Sequence, residues 1–264
     1  MKKYYQIFSN TWQEYMTYRL NFVMWRVRVV LRLLIIYFLW QAVFGVRQEL
    51  FGYSREQMLT YVLFTPLITS IITGSRSMDI GNEINQGDLS NYLLRPTSYF
   101  RYWWTKDLAD KALNIIFSIF ELIILFLVFR PPIFWQPDLF RWLLFLLAIA
   151  ISTFLYFYLN VILAFVAFWT PDYWGPRFLI FMVQEFLTGG IFPLDILPKN
   201  IFNVILLTPF PYLTFFPLAI YLGKSEGIYQ WGGLLISSIW AIIFFRVMIL
   251  IWRKGLKTYT ADGR

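Results

Sequence analysis

The sequence predicts an all-α polytopic membrane protein with six transmembrane helices, and three observations predict it. First, 59% of its 264 residues are hydrophobic and only 14% are charged. An ordinary soluble domain carries roughly 25% charged residues. Second, six apolar segments reach the length of about 20 residues that a spanning helix needs. They are 27–46, 58–75, 108–129, 142–169, 178–197 and 231–252. Third, Lys and Arg gather at alternate ends of these segments. Six spans with both termini cytosolic put 17 of the 23 cations inside and six outside, as the positive-inside rule requires. A seventh span over 201–222 would export the basic tail, and Pro209, Pro211 and Pro217 would break its helix.

Taken in order, residues 1–19 form an interfacial helix rather than a cleavable leader, because no apolar core follows Lys2 and Lys3. Tyr4, Phe8, Trp12 and Tyr15 recur at helical spacing on one face, and Lys3, Gln6, Asn10, Gln13 and Glu14 fall elsewhere. The same periodicity suits a helix packed on a partner. Between the fifth and sixth spans, the proline-punctuated stretch 198–225 reads as short outer, re-entrant helices, since broken backbone survives in a bilayer only where protein or water covers it. Loops are short and no internal repeat is visible, so residues 1–264 make a single transmembrane domain.

A polar island interrupts the apolar sequence after the second span. Within residues 79–96, Asp79 caps a helix carrying Ile80 and Ile84, and Gly87 ends it. Asp88 starts a second helix carrying Leu89, Leu93 and Leu94, which Arg95-Pro96 stops. The product is a helical elbow with an apolar side. It suits docking into a groove on a cytosolic protein, or lying as a capped loop on the membrane.

The string from Glu83 to Pro96, EINQGDLSNYLLRP, resembles the I-x-x-G-x-L-x-x-x-L-L-R-P segment of ABC type-2 export permeases, in particular single-domain permeases paired with a separate ATPase. Three further pieces agree in order: YFLWQAVF at the outer end of the first span, the segment FPLDILPKNIFNVILLTPFPYLTFFPLAIYLG, and a tail resembling G-L-x-x-Y. The resemblance implies the type-2 ABC exporter fold, with an interfacial helix, a cytosolic coupling helix and outer re-entrant helices. It implies ATPase coupling through Ile80, Glu83, Ile84, Gly87, Asp88, Leu89, Leu93, Leu94, Arg95 and Pro96. It also implies two partners, an ABC ATPase subunit and a second permease in a homodimer or heterodimer, and places this chain in the cytoplasmic (inner) membrane. No cofactor is expected on this chain, with ATP and Mg carried by the ATPase. The only GKS, Gly223-Lys224-Ser225, has Leu218 where a phosphate-binding loop needs its first glycine.

Arg32, Glu121, Glu185 and Arg246 fall inside expected spans, where charge is costly and marks a partner, a cavity or the headgroups. Glu185 and Arg246 lie at similar depth, so they are placed to pair; otherwise Arg246 snorkels inward and Glu185 is protonated or water-exposed. Arg26, Arg28 and Arg32 are expected at the inner headgroups, and Glu121 nearer the outer side. The absence of His and Cys removes imidazole, thiolate and disulfide chemistry. The net charge of +8 follows from topology and anionic lipid rather than nucleic acid. The expected function is ATP-driven export of a hydrophobic or amphipathic substrate. A membrane-embedded lipid-modifying enzyme would need converging polar groups, and a passive channel or scaffold a polar stripe along a span; neither is evident in the sequence.

Overall fold

The computed structural model describes residues 2–17, 19–94 and 97–260. The chain is 79% helical, and eleven α-helices occur among the described residues. Four of these are long and apolar enough to cross a membrane: α2 (Arg19–Phe44), α6 (Tyr99–Phe129), α7 (Leu139–Ala164, continued by a 3-10 turn Phe165–Phe168) and α11 (Gly227–Thr258). α3 (Arg55–Thr73) has 19 residues, starts at a capping box between Ser54 and Gln57, and is largely buried among the others. Its Thr60, Thr65, Thr69, Ser70 and Thr73 lower its hydropathy, which a helix surrounded by protein tolerates.

The fifth expected span is shorter than the sequence suggested. α8 (Trp174–Leu187) has 14 residues, about 21 Å of helix against about 30 Å of hydrocarbon. The chain leaves the helix at Thr188, and Gly189 adopts a left-handed φ of 78°. The liberated backbone is paired from neighbouring elements. Tyr61 donates to the Gly189 carbonyl at 2.5 Å, Trp40 Nε1 to that of Ile191 at 3.2 Å, and the Phe215 amide to that of Thr188 at 2.9 Å. Irregular backbone persists here because protein satisfies it.

The proline-rich stretch does fold as short pieces: α9 (Lys199–Leu206), a 3-10 turn Phe210–Leu213 and the wholly buried α10 (Phe215–Tyr221). A small ribbon pairs β1 (Glu49–Leu50) with β2 (Tyr53–Ser54), Glu49 opposite Ser54 and Leu50 opposite Tyr53. Positive φ at Phe51 and Gly52 closes this hairpin, a departure from a purely helical reading.

Two apolar cores divide the molecule by height. The larger joins α2, α3, α7 and α10 through Tyr37, Tyr61, Phe145 and Tyr221. The smaller lies at the opposite end and joins the island to α6, the Phe165–Phe168 turn and α11. α1 (Lys2–Thr17) lies at that second end against α6, with Trp12 Nε1 donating to the Ala109 carbonyl at 2.8 Å. Part of its aromatic face is therefore occupied by its own chain.

Candidate functional site

The island folds as two short helices, α4 (Asp79–Asn85) and α5 (Leu89–Leu93), joined at Gly87, whose φ of 81° is left-handed. The boundaries follow the sequence, but the caps differ. Met78 precedes α4 without a side-chain cap, and Asp79 is its first helical residue. Asp88 makes no cap bond either; its carboxylate accepts from Asn91 Nδ2 at 3.4 Å. Burial pushes the Asp79 carboxyl above the usual range, and Arg76 pulls it back.

The apolar side of the elbow mostly faces inward, which corrects the expectation that it forms one docking surface. Ile80, Ile84 and Leu89 are buried with Phe165, Phe168, Tyr99 and Trp103. A helical turn at a bundle end buries its apolar residues against the nearest uncovered aromatic side chains, and those belong to this chain. Gly81 sits against Tyr173, where a Cβ would lie 2.6 Å from the ring. Only the tip is left uncovered: Leu93 is 47% and Leu94 87% exposed. Arg95 and Pro96 lie outside the described residues.

Polar contacts fix the rest. Glu83 accepts from the Tyr99 hydroxyl at 2.8 Å and Trp103 Nε1 at 3.2 Å. Burial raises its pKa, and the Tyr99 hydrogen bond opposes that rise. The Tyr173 hydroxyl donates to Asn82 Oδ1 at 2.8 Å, and Asn85 Nδ2 donates to the Pro171 carbonyl at 2.9 Å. The Tyr259 hydroxyl, from beyond α11, donates to the Gly87 carbonyl at 2.6 Å.

The charges within the long helices pair differently from expectation. Glu185 meets Arg32, with Nη1 to Oε1 at 3.1 Å and a second contact from Nη2. Arg246 is exposed, and no ion pair among the described residues includes it. Counting along a helix gives height but not direction, and α8 presents Glu185 to α2. Arg32 is thus an ion-pair partner of Glu185, with its side chain 47% exposed. Arg26 is buried and forks onto Glu121, its Nε 2.6 Å from Oε1 and its Nη2 on Oε2.

Contrary to the expectation from sequence, a polar stripe does run along a span, on α6. Asp107, Asp110, Lys111, Asn114, Ser118 and Glu121 follow one another at steps of three, one, three, four and three, which is one helical face. That spacing was a legible signal, hidden by reading Glu121 alone. Every step has a protein partner rather than a pore. Asp110 accepts from Tyr15 of α1. Lys111 Nζ lies 3.1 Å from Asp107 and donates to the carbonyls of Ile72, at 3.0 Å, and Gly74, closing the end of α3. Ser118 meets Ser70 at 2.8 Å and Arg26 at 3.1 Å. A further pair, Arg76 with Glu14, ties the start of the island to α1. Five of these six positions, all but Asp107, whose partner Lys111 is on the same helix, thereby bind α1, α2 and α3 to α6.

The structure is thus a bundle of long apolar helices with a helical elbow anchored at one end. The family described as ABC-2 family transporter protein matches residues 30–263, and the chain belongs to it. It is a multi-pass transmembrane permease of an ABC transporter, and membership implies partnership with an ATPase subunit. No curated protein matches the chain.

Proposed function

We propose that the chain is the permease half of an ATP-driven exporter of a hydrophobic or amphipathic substrate. It crosses the cytoplasmic membrane six times with both termini cytosolic, and works as a dimer of permeases with two ATPase subunits. The short α8 completes its passage through the irregular segment 188–198, covered by α3, α9 and α10. The elbow end faces the cytosol, which keeps most cations inside. α1 lies along that inner interface, and α9 and α10 occupy the outer side.

The observation that carries this reading is the exposure of Leu93 and Leu94 on an elbow otherwise pinned to its own bundle. An apolar tip on a rigid mount both binds a partner and transmits its movement. Changing Leu93 and Leu94 to Asp buries unpaired charge at the contact and leaves every long helix untouched. Pull-down of the ATPase and permease-stimulated ATP hydrolysis in nanodiscs should both be lost. Full binding and stimulation in that double variant would remove the elbow as the coupling element and leave α1 as the next candidate.

A further inference from the structure

The end of α11 and the residue that caps it present Trp252, Gly255 and Tyr259 at steps of three and four, on one side of the helix. This face reaches three elements at once. Trp252 stacks on Tyr99 at the start of α6, with ring centroids 5.1 Å apart and planes 13° apart. Gly255 leaves room for the Phe168 ring, which any Cβ there would strike. Tyr259 reaches the elbow, and its phenol oxygen does two things there. It donates to the Gly87 carbonyl at 2.6 Å and accepts the Ser90 amide at 3.2 Å. Gly87 is the left-handed joint between α4 and α5, so one side chain engages the joint and the first turn of α5 together. The Phe168 ring stands edge-on to Tyr259 at 6.2 Å and steers the phenol into place.

α11 is a 32-residue helix without internal proline, about 48 Å long. Its far end packs on α10, Phe216 lying where a Cβ on Gly233 would sit. A displacement of the joint at Gly87 therefore has a direct polar and aromatic path into a rod that crosses the whole molecule. The sequence neighbours of the elbow, α3 and α6, are by contrast locked to α1 and α2 by the buried stripe.

Resting on the reading of the elbow as the ATPase contact, we infer that Tyr259 is the positioning residue that couples elbow movement to the last span. Its phenol keeps the Gly87 joint and the end of α11 moving as one body.

The test uses the full-length permease in nanodiscs with the ATPase that copurifies with it. Tyr259→Phe keeps the ring on Phe168 and deletes both hydrogen bonds; p-aminophenylalanine at position 259 restores a donor at the same place. Tyr259→Phe should bind the ATPase with unchanged affinity and melt only slightly lower, while the kcat of permease-stimulated hydrolysis falls at least about fivefold, as loss of two weak hydrogen bonds to the moving element implies. p-Aminophenylalanine should recover most of that loss. Wild-type stimulation in Tyr259→Phe overturns the inference. So does a loss of affinity or melting temperature that p-aminophenylalanine leaves uncorrected, since Tyr259 would then be a structural staple. If the native chain itself binds no ATPase, the reading of the elbow fails instead, and the two failures are distinct.

Discussion

Removing the Glu121 carboxylate should destabilise the bundle by leaving a buried guanidinium without its counter-charge. Glu121 and Arg26 are 15% and 6% exposed at their side chains and meet through two contacts in a fork. Breaking a buried pair from one side costs about 3–5 kcal/mol, because the survivor is left charged and unsolvated. The two ends of the pair differ. In Glu121→Gln, Arg26 keeps Ser118 Oγ at 3.1 Å and Asn114 Oδ1 at 3.5 Å, which places that loss near 3 kcal/mol, the low end of about 3–5. In Arg26→Gln, Glu121 keeps no other hydrogen-bonding partner among the described residues, so the loss lies near the upper end. The double variant strands neither charge, and the cycle should show a coupling of about 2 kcal/mol. Equilibrium unfolding in mixed micelles, followed by helical circular dichroism, measures all four corners. Losses that add within about 0.5 kcal/mol would refute the pairing. The cycle built on Glu185 and Arg246 should be additive in that way, and the one built on Glu185 and Arg32 should not.

Gly255→Ala drives a Cβ into the Phe168 ring and should destabilise by about 1–3 kcal/mol. Gly232→Ala, in the same helix with open space around it, should be neutral or stabilising by up to about 1 kcal/mol; thermal unfolding compares the two. Burial raises the folded-state pKa of Glu83 above its ordinary 4.5, so the folded protein holds that proton more tightly than the unfolded chain. Its contribution to stability is complete below pH 4.5 and is lost as the pH rises toward the folded value. Glu83→Gln keeps an acceptor for Tyr99 and should flatten that slope, which unfolding midpoints across the acid range would show; an unchanged slope would assign it to another group. Because the chain has no cysteine, single cysteines at Lys199, Gln86 and Thr258 report topology directly, all three positions being exposed. An impermeant thiol reagent on intact cells should label position 199 alone, and labelling of 258 would end the six-pass reading.

Residues acting through their own neighbours along the chain were readable from the amino-acid sequence. Apolar runs of membrane length gave α2, α6, α7 and α11, the prolines broke up 198–225, and Gly87 divided the island where the left-handed joint occurs. The motif order pointed to the family that matches residues 30–263. The truncation of α8 was within reach, since Gly189-Gly190 and Pro193 interrupt the run. Direction was another matter. A sequence gives each helix its periodicity and height, while its rotation about its own axis is settled only when every neighbouring face is packed at once. Hence Glu185 meets Arg32 rather than Arg246, and Ile80, Ile84 and Leu89 turn into the bundle while Leu93 and Leu94 stay outside. Hence also the α6 stripe, regular in spacing, is a set of internal fastenings and not a pore. Tyr259 is the extreme case, lying 172 residues from the Gly87 carbonyl it holds, and no local property of either residue foretells a contact that exists only because α11 returns to the end of the bundle where the elbow is folded.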